Sequence, residues 1–225
     1  MKAELLQRIL GAKAERRAIA VITELASGAQ RLISRDDAAS DALAEILDKG
    51  FRFDKSGVEQ TPKGEVFVTI HNPPLRLVIT GAVLIAQALI PMAKAAGYDI
   101  WIVDPRGAFA TDARFAGVNL HAEWPDEIIP KIGLDARTAF MALTHDPKID
   151  DPALALALNS EVFYIGALGS KKTQSSRQER LKEKGISDAQ LARIHGPIGL
   201  AIGAVGASEI AISIMAEMTK ALRLG

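Results

Sequence analysis

The rhythm of apolar positions changes near residue 73. Before it the pattern is mixed. Residues 4–17 space Leu5, Ile9 and Ala12 along one helical face. The run 18–24 (AIAVITE) reads as a strand, Ser27-Gly28 as a turn, and 31–34 as a second strand pairing back. Asp36 or Asp37 caps a helix through Lys49, with Ala39, Leu43, Ile46 and Leu47 at helical spacing and Gly50 as its stop. Strands are expected at 51–54 and 65–70, split by a turn around Thr61-Pro62-Lys63-Gly64. Residues 1–72 thus predict a small α+β domain. Pro73-Pro74 suits neither helix nor strand and marks its end.

From 73 to 225, apolar strand-like runs alternate with helical ones. Strands are expected at 75–80, 100–103, 118–120, 138–144 and 162–166, and helices at 84–96, 125–132, 152–159 and 171–184. The closing segment 208–222 carries an apolar stripe of Ile210, Ile214, Met218 and Leu222. The runs LRLVIT, DIWIV and TAFMALT lack polar alternation, which suits a parallel sheet covered on both faces. The fold class is therefore α/β, a parallel-sheet domain preceded by a small α+β domain.

Composition changes this picture little. The chain has 225 residues, with 27 Lys+Arg against 27 Asp+Glu, so charge gives no argument for nucleic acid or an anionic membrane as partner. With no cysteine, a disulfide framework, a thiolate metal site and a cysteine nucleophile are excluded. The first 17 residues lack an apolar signal-peptide core. No apolar run approaches the roughly 20 residues of a spanning helix. The expectation is a soluble, cytoplasmic protein.

Candidate chemistry lies at the carboxyl ends of the strands, where open parallel sheets bind ligands. The first loop, Gly81-Ala82-Val83-Leu84-Ile85-Ala86, fits a dinucleotide fingerprint in spacing, with Asp104 about 20 residues on. Val83, however, replaces the middle glycine that lets a pyrophosphate approach. The second loop pairs Asp104, where a ribose hydroxyl is usually bound, with Arg106, a phosphate contact. The third, Thr144-His145-Asp146-Pro147, offers a titratable imidazole with Asp146 to orient it. The fourth runs Gly166-Ala167-Leu168-Gly169-Ser170-Lys171 into a helix, a candidate anion site. His195-Gly196-Pro197 opens a further glycine-rich stretch. Each has a bland alternative: Gly81 as a turn, Asp104 and Asp146 as caps, His145 as structural, Ser170 as a cap.

The segments VDPRGAFATDARF, LTHDPKIDDPALALAL, FYIGALGSKKTQSSRQERL and ARIHGPIGLAIGA occur in this order. Together they closely resemble the C-terminal domain of the XdhC/CoxI family over about residues 75–222. The resemblance implies a Rossmann fold and an accessory role for xanthine dehydrogenase and related molybdenum hydroxylases. It implies a chaperone that binds molybdenum cofactor (molybdopterin or its cytosine dinucleotide), supports its sulfuration and passes it to the apo-enzyme. A cysteine desulfurase as further partner and a homodimer follow from the same resemblance. In that reading the protein is a carrier rather than an enzyme. Gly166, Gly169, Ser170 and Lys171 hold a phosphate, Asp104 and Arg106 the distal part of the ligand, and His145 and Asp146 the pterin side, with Thr144 and Gly81 in the adjoining loops and His195 nearby.

Two departures qualify the resemblance. The family usually opens this domain with a G-A-G-H-V-A type loop, whereas this chain has Gly81-Ala82-Val83-Leu84-Ile85-Ala86. Many members also have a longer N-terminal domain bearing cysteine. Here residues 1–72 lack it, although 20–34 (AVITELASGAQRLIS) is similar to the usual first hairpin. The alternatives are an NAD(P)-dependent oxidoreductase using Asp104 and His145, and a degenerate homologue serving as a protein-interaction module.

Overall fold

In the computed structural model, residues 3–224 are described. The chain divides into two compact units, Met1–Pro73 and Pro74–Gly225. No helix among the described residues is long and apolar enough to cross a membrane.

The first unit contains α1 (Ala3–Ala14), β1 (Ile19–Glu24), β2 (Gln30–Ser34), α2 (Ala44–Phe53), β3 (Gly57–Thr61) and β4 (Gly64–His71). The strands form an antiparallel sheet in the order β2-β1-β4-β3. The first four residues of β1 are buried because both faces of this strand are covered. Ile19 and Val21 pack with Leu5, Ile9 and Ala12 of α1, while Ala20 and Ile22 join Leu47 and Phe51 of α2. Alternation along one strand thus feeds two small cores.

Two expectations are corrected here. A short 3₁₀ turn, Ala38–Ser40, precedes α2, and Asp41 accepts the Leu43 N–H at 2.9 Å instead of a helix starting at Asp36 or Asp37. Then α2 runs through Gly50 and ends at Asp54, whose φ is +54°. Gly50 is a packing glycine: a Cβ there would come within 2.8 Å of Ile70 Cδ1 on β4. Phe51 sits one turn beyond Leu47 on the same buried face, so 51–54 closes a helix and the strand falls at Gly57–Thr61.

The second unit runs β5 (Arg76–Thr80), α3 (Leu84–Ala95), β6 (Asp99–Val103), β7 (Asn119–His121), α4 (Pro125–Ile132), β8 (Thr138–Ala142), α5 (Pro147–Leu158), β9 (Tyr164–Ala167), α6 (Lys171–Glu183), α7 (Asp188–Leu191), β10 (Ile194–His195) and α8 (Ala207–Leu224). Its six strands are parallel, in the order β10-β9-β8-β5-β6-β7. This is a doubly wound sheet, with its topological switch between β5 and β8. β5 and β8 are buried at every position. Leu77, Ile79, Ala139 and Met141 face a core shared with α3 and α8, whereas Val78, Phe140 and Ala142 face one shared with α4, α5 and α6.

Two element bounds differ from expectation. α5 starts at Pro147, with Asp146 as its N-cap, because proline suits a first helical turn. Asp150 and Asp151 therefore lie on the helix. His195, expected to open a glycine-rich stretch, pairs instead with Ile194 as β10 beside β9.

Because Phe51 is 1% exposed and anchors α2, Phe51→Ala is expected to cost about 3–5 kcal/mol. Urea unfolding followed by circular dichroism reads this as a lower midpoint.

Candidate functional site

Loops after β5, β6, β8 and β9 and the start of α8 surround one cleft at the switch point, with a volume of about 480 Å³. The first loop contributes Ala82, Val83, Leu84 and Ile85, and the loop after β6 contributes Arg106, Phe109 and Arg114. Leu143, His145 and Leu168 come from the next two loops, and Ala207 and Ile210 from α8. The walls are largely apolar, and the charged or titratable lining groups are two arginines and a histidine.

Local geometry explains the first loop. Gly81 has φ +117°, and a Cβ there would meet the Leu143 and Thr144 backbone at 3.2 Å. The glycine therefore serves close packing of the first loop on the third. Val83 precedes α3 in extended conformation, so its branched side chain stands where the fingerprint glycine would admit a pyrophosphate.

Asp104 is fully buried at the end of β6. Its Oδ2 accepts the Ala82 N–H and Arg106 Nη2, each at 2.8 Å. Its Oδ1 accepts the Arg106 N–H at 3.0 Å and Nε at 2.9 Å. Burial by itself raises this carboxyl, but the hydrogen bonds from Arg106 and Ala82 outweigh it and hold the group below the usual carboxylate range. In return, Asp104 raises the Arg106 guanidinium. The flat face of Arg106 lies 4.8 Å from the Phe109 ring centroid.

The third loop is shaped by Asp150, an acid not singled out in the sequence. Asp150 Oδ1 accepts the Thr144 hydroxyl at 2.7 Å and the Thr144 N–H at 3.3 Å. Its Oδ2 accepts the His145 N–H at 3.1 Å. These bonds hold His145 in the left-handed region, φ +64°, with its side chain at the cleft. Burial pushes the Asp150 carboxyl up, against the opposing hydrogen bonds from Thr144 and the nearby Arg177 charge. Arg177, 2% exposed, lies 3.9 Å from Asp150 and donates to the Leu168 carbonyl at 2.9 Å and Gln174 Oε1 at 2.7 Å. One buried arginine thereby links the third and fourth loops. The Asp146-Pro147 pair is the signal that would have found Asp150, since it starts the helix a turn earlier.

Arg106 and His145 meet at the cleft; several other expected residues have different work. Asp104 carries a full set of donors, so it is closed to a ribose hydroxyl. Asp146 caps α5 through the Lys148 N–H at 2.9 Å and does not orient His145. Thr144, buried, donates its hydroxyl to Asp150. Gly166 is buried in β9, where a Cβ would overlap Ile198 Cδ1. Gly169, at φ +142°, turns the chain into α6, and Ser170 caps it through the Thr173 N–H at 3.1 Å. Lys171 is exposed in the first turn of α6, outside the cleft lining. His195 sits at the sheet edge, its Nδ1 3.3 Å from Glu217 and its ring 4.7 Å from the Tyr164 ring centroid. Glu217 also accepts the Tyr164 hydroxyl at 2.6 Å and the Gly199 N–H at 2.8 Å. Burial, reinforced by Glu217, pushes the Tyr164 phenol up.

A doubly wound parallel sheet with an apolar, cation-bearing cleft at its switch point defines a Rossmann-type domain. Residues 77–218 match the XdhC Rossmann domain, and the chain belongs to that family. It is 34% identical over 147 residues to the molybdenum cofactor insertion chaperone PaoD of Escherichia coli, covering 65% of this chain and 40% of that protein. It is 31% identical over 155 residues to the uncharacterized protein YqeB of Escherichia coli, covering 68% and 28%. A probable xanthine dehydrogenase subunit of Bacillus subtilis matches at 27% over 154 residues, covering 68% and 44%. The chain thus spans less than half the length of these relatives. A crystal structure from Bacillus halodurans described as a xanthine dehydrogenase superposes with a TM-score of 0.70 at 23% identity, covering 98% of this chain and 67% of that one. That likeness carries the fold alone.

Two outcomes test this geometry. Gly166→Ala is expected to cost about 1–3 kcal/mol from overpacking against Ile198, read as a lower denaturation midpoint. Asp104→Asn is expected to cost about 2 kcal/mol at neutral pH. Because the folded carboxyl lies below its unfolded value, the wild-type advantage is complete above the usual carboxylate range and fades as pH falls through the folded value. Denaturation series from pH 7 to pH 2 should show the two proteins converging.

Proposed function

We propose that this chain binds molybdenum cofactor in the switch-point cleft and delivers it to a molybdenum hydroxylase of the xanthine dehydrogenase type. The observation that carries this reading is the cleft's division of labour. Apolar walls suit a flat ring system, and the charged or titratable groups that line them, Arg106, Arg114 and His145, suit an anionic end. The kinship to a protein named as a molybdenum cofactor insertion chaperone supports the same reading. So does the size of the cleft, which falls within the usual range for small-ligand sites.

The residues present fit the cofactor. Leu143, Leu168 and Ile210 would flank the pterin, while Arg106 and Arg114 would meet its phosphate. When bound, the cofactor supplies molybdenum redox chemistry to the acceptor enzyme. This chain's own part is to bind, orient and shield. The acids beside His145 support carriage rather than turnover: Asp146 and Asp150 are engaged by backbone N–H groups and leave the imidazole without a hydrogen-bonded carboxylate among the described residues. The nicotinamide alternative loses both anchors, since Val83 crowds the first loop and Asp104 is already saturated.

Titration of the purified chain with molybdopterin, by calorimetry under anaerobic conditions, tests the proposal. Arg114→Ala and His145→Ala are each expected to weaken binding about tenfold, equivalent to about 1.4 kcal/mol. Lys171→Ala, outside the lining, is expected to leave it unchanged. Equal affinity in all four proteins would sink the cleft as the site.

A further inference from the structure

In a doubly wound sheet, an acid at the end of the second strand ordinarily accepts the ribose hydroxyls of a dinucleotide. Asp104 holds that place. A carboxylate offers about four acceptor positions. Those of Asp104 are filled by Ala82 N–H, Arg106 N–H, Arg106 Nε and Arg106 Nη2, at 2.8–3.0 Å. A ribose diol would have to displace a charge-assisted, bidentate guanidinium and would return only neutral hydroxyl bonds.

The guanidinium is fixed on two sides. Asp104 accepts from its Nε and Nη2, and its Cζ lies over the Phe109 ring, 4.8 Å from the centroid. Its Nη1 forms no hydrogen bond among the described residues, and the side chain is 34% exposed at the cleft. Arg114 and His145 line the same cleft. The neighbouring carboxylates, Asp146 and Asp150, favour the charge on Arg106, but each is committed to backbone N–H groups and neither lines the cleft.

We infer that Arg106 is the specificity residue of this cleft: it shuts Asp104 to sugar hydroxyls and leaves Nη1 for an oxyanion, so the cleft selects a phosphate-type anionic group and rejects nucleosides recognised through their ribose. The inference rests on the cleft being the ligand site, and it adds the chemical class that anchors the ligand and the device that excludes ligands held by a ribose diol. A loop spaced as for dinucleotide binding thereby becomes an anion reader through one arginine two residues beyond the acid.

Calorimetric titration of the full chain with three probes tests it. Adenosine carries the diol without an anion, pyrophosphate the anion without a diol, and AMP both. The wild type is expected to bind pyrophosphate and AMP and to show no adenosine binding at millimolar concentration. Arg106→Ala should weaken pyrophosphate about tenfold or more and acquire adenosine binding, because Asp104 is unmasked. Adding Asp104→Asn to that variant should abolish the acquired binding. Arg106→Lys, which keeps the charge but cannot bridge both carboxylate oxygens, should retain most pyrophosphate affinity and take up adenosine weakly; thermal melting of each variant confirms folding. Unchanged pyrophosphate affinity in Arg106→Ala, or no adenosine binding after the arginine is removed, overturns the inference. None of the probes contains a pterin, so this result and the molybdopterin titration fail independently.

Discussion

Burial of the six-stranded sheet on both faces is the constraint from which the rest of the second unit follows. β5 and β8 are enclosed at every residue, so polar chemistry is displaced to their carboxyl ends. Acids at the end of β6 and in the first turn of α5 are buried near these ends and must be hydrogen-bonded or neutral. Asp104 and Asp150 meet that demand in the same way, by accepting backbone N–H groups from the loops around them. The loops are shaped by the acids they satisfy. Ala82 is drawn to the end of β6, and His145 is held at positive φ.

The cleft takes its character from this arrangement. Its acids point into the protein, and its cations border the open space. An apolar cavity edged by arginine suits a flat, partly anionic molecule and offers it no paired base, the physical profile that the proposed carrier role requires. Val83 and Leu84, which depart from the fingerprint, extend the apolar wall at the point where a nucleotide fold is ordinarily most polar.

Much of the fold was legible because burial leaves local periodicity. The central strands β5, β6 and β8 announced themselves as runs without polar alternation, and the switch-point loops as their ends. The failures were places where a distant residue decided a local outcome. Gly50 read as a helix stop, but it lies inside α2, where Ile70 of β4 packs against the space its Cβ would take. Gly166, expected in an anion loop, also answers to Ile198, which packs where its Cβ would be. Asp104 was placed correctly at the end of β6, yet its donors include Ala82, 22 residues earlier, and a guanidinium whose geometry no spacing rule reveals.

By itself the sequence determined the class of fold and five of the six strands of the parallel sheet, because these are written in the period of side chains along the chain, and its motifs carried the resemblance to the family. The tertiary structure alone decided which polar groups remain available for a ligand. Hydrogen bonds are exclusive: once the carboxylates of Asp104 and Asp150 are spent on backbone and guanidinium donors, the cleft is left to Arg106, Arg114 and His145, and that allocation depends on distances between residues far apart in the chain.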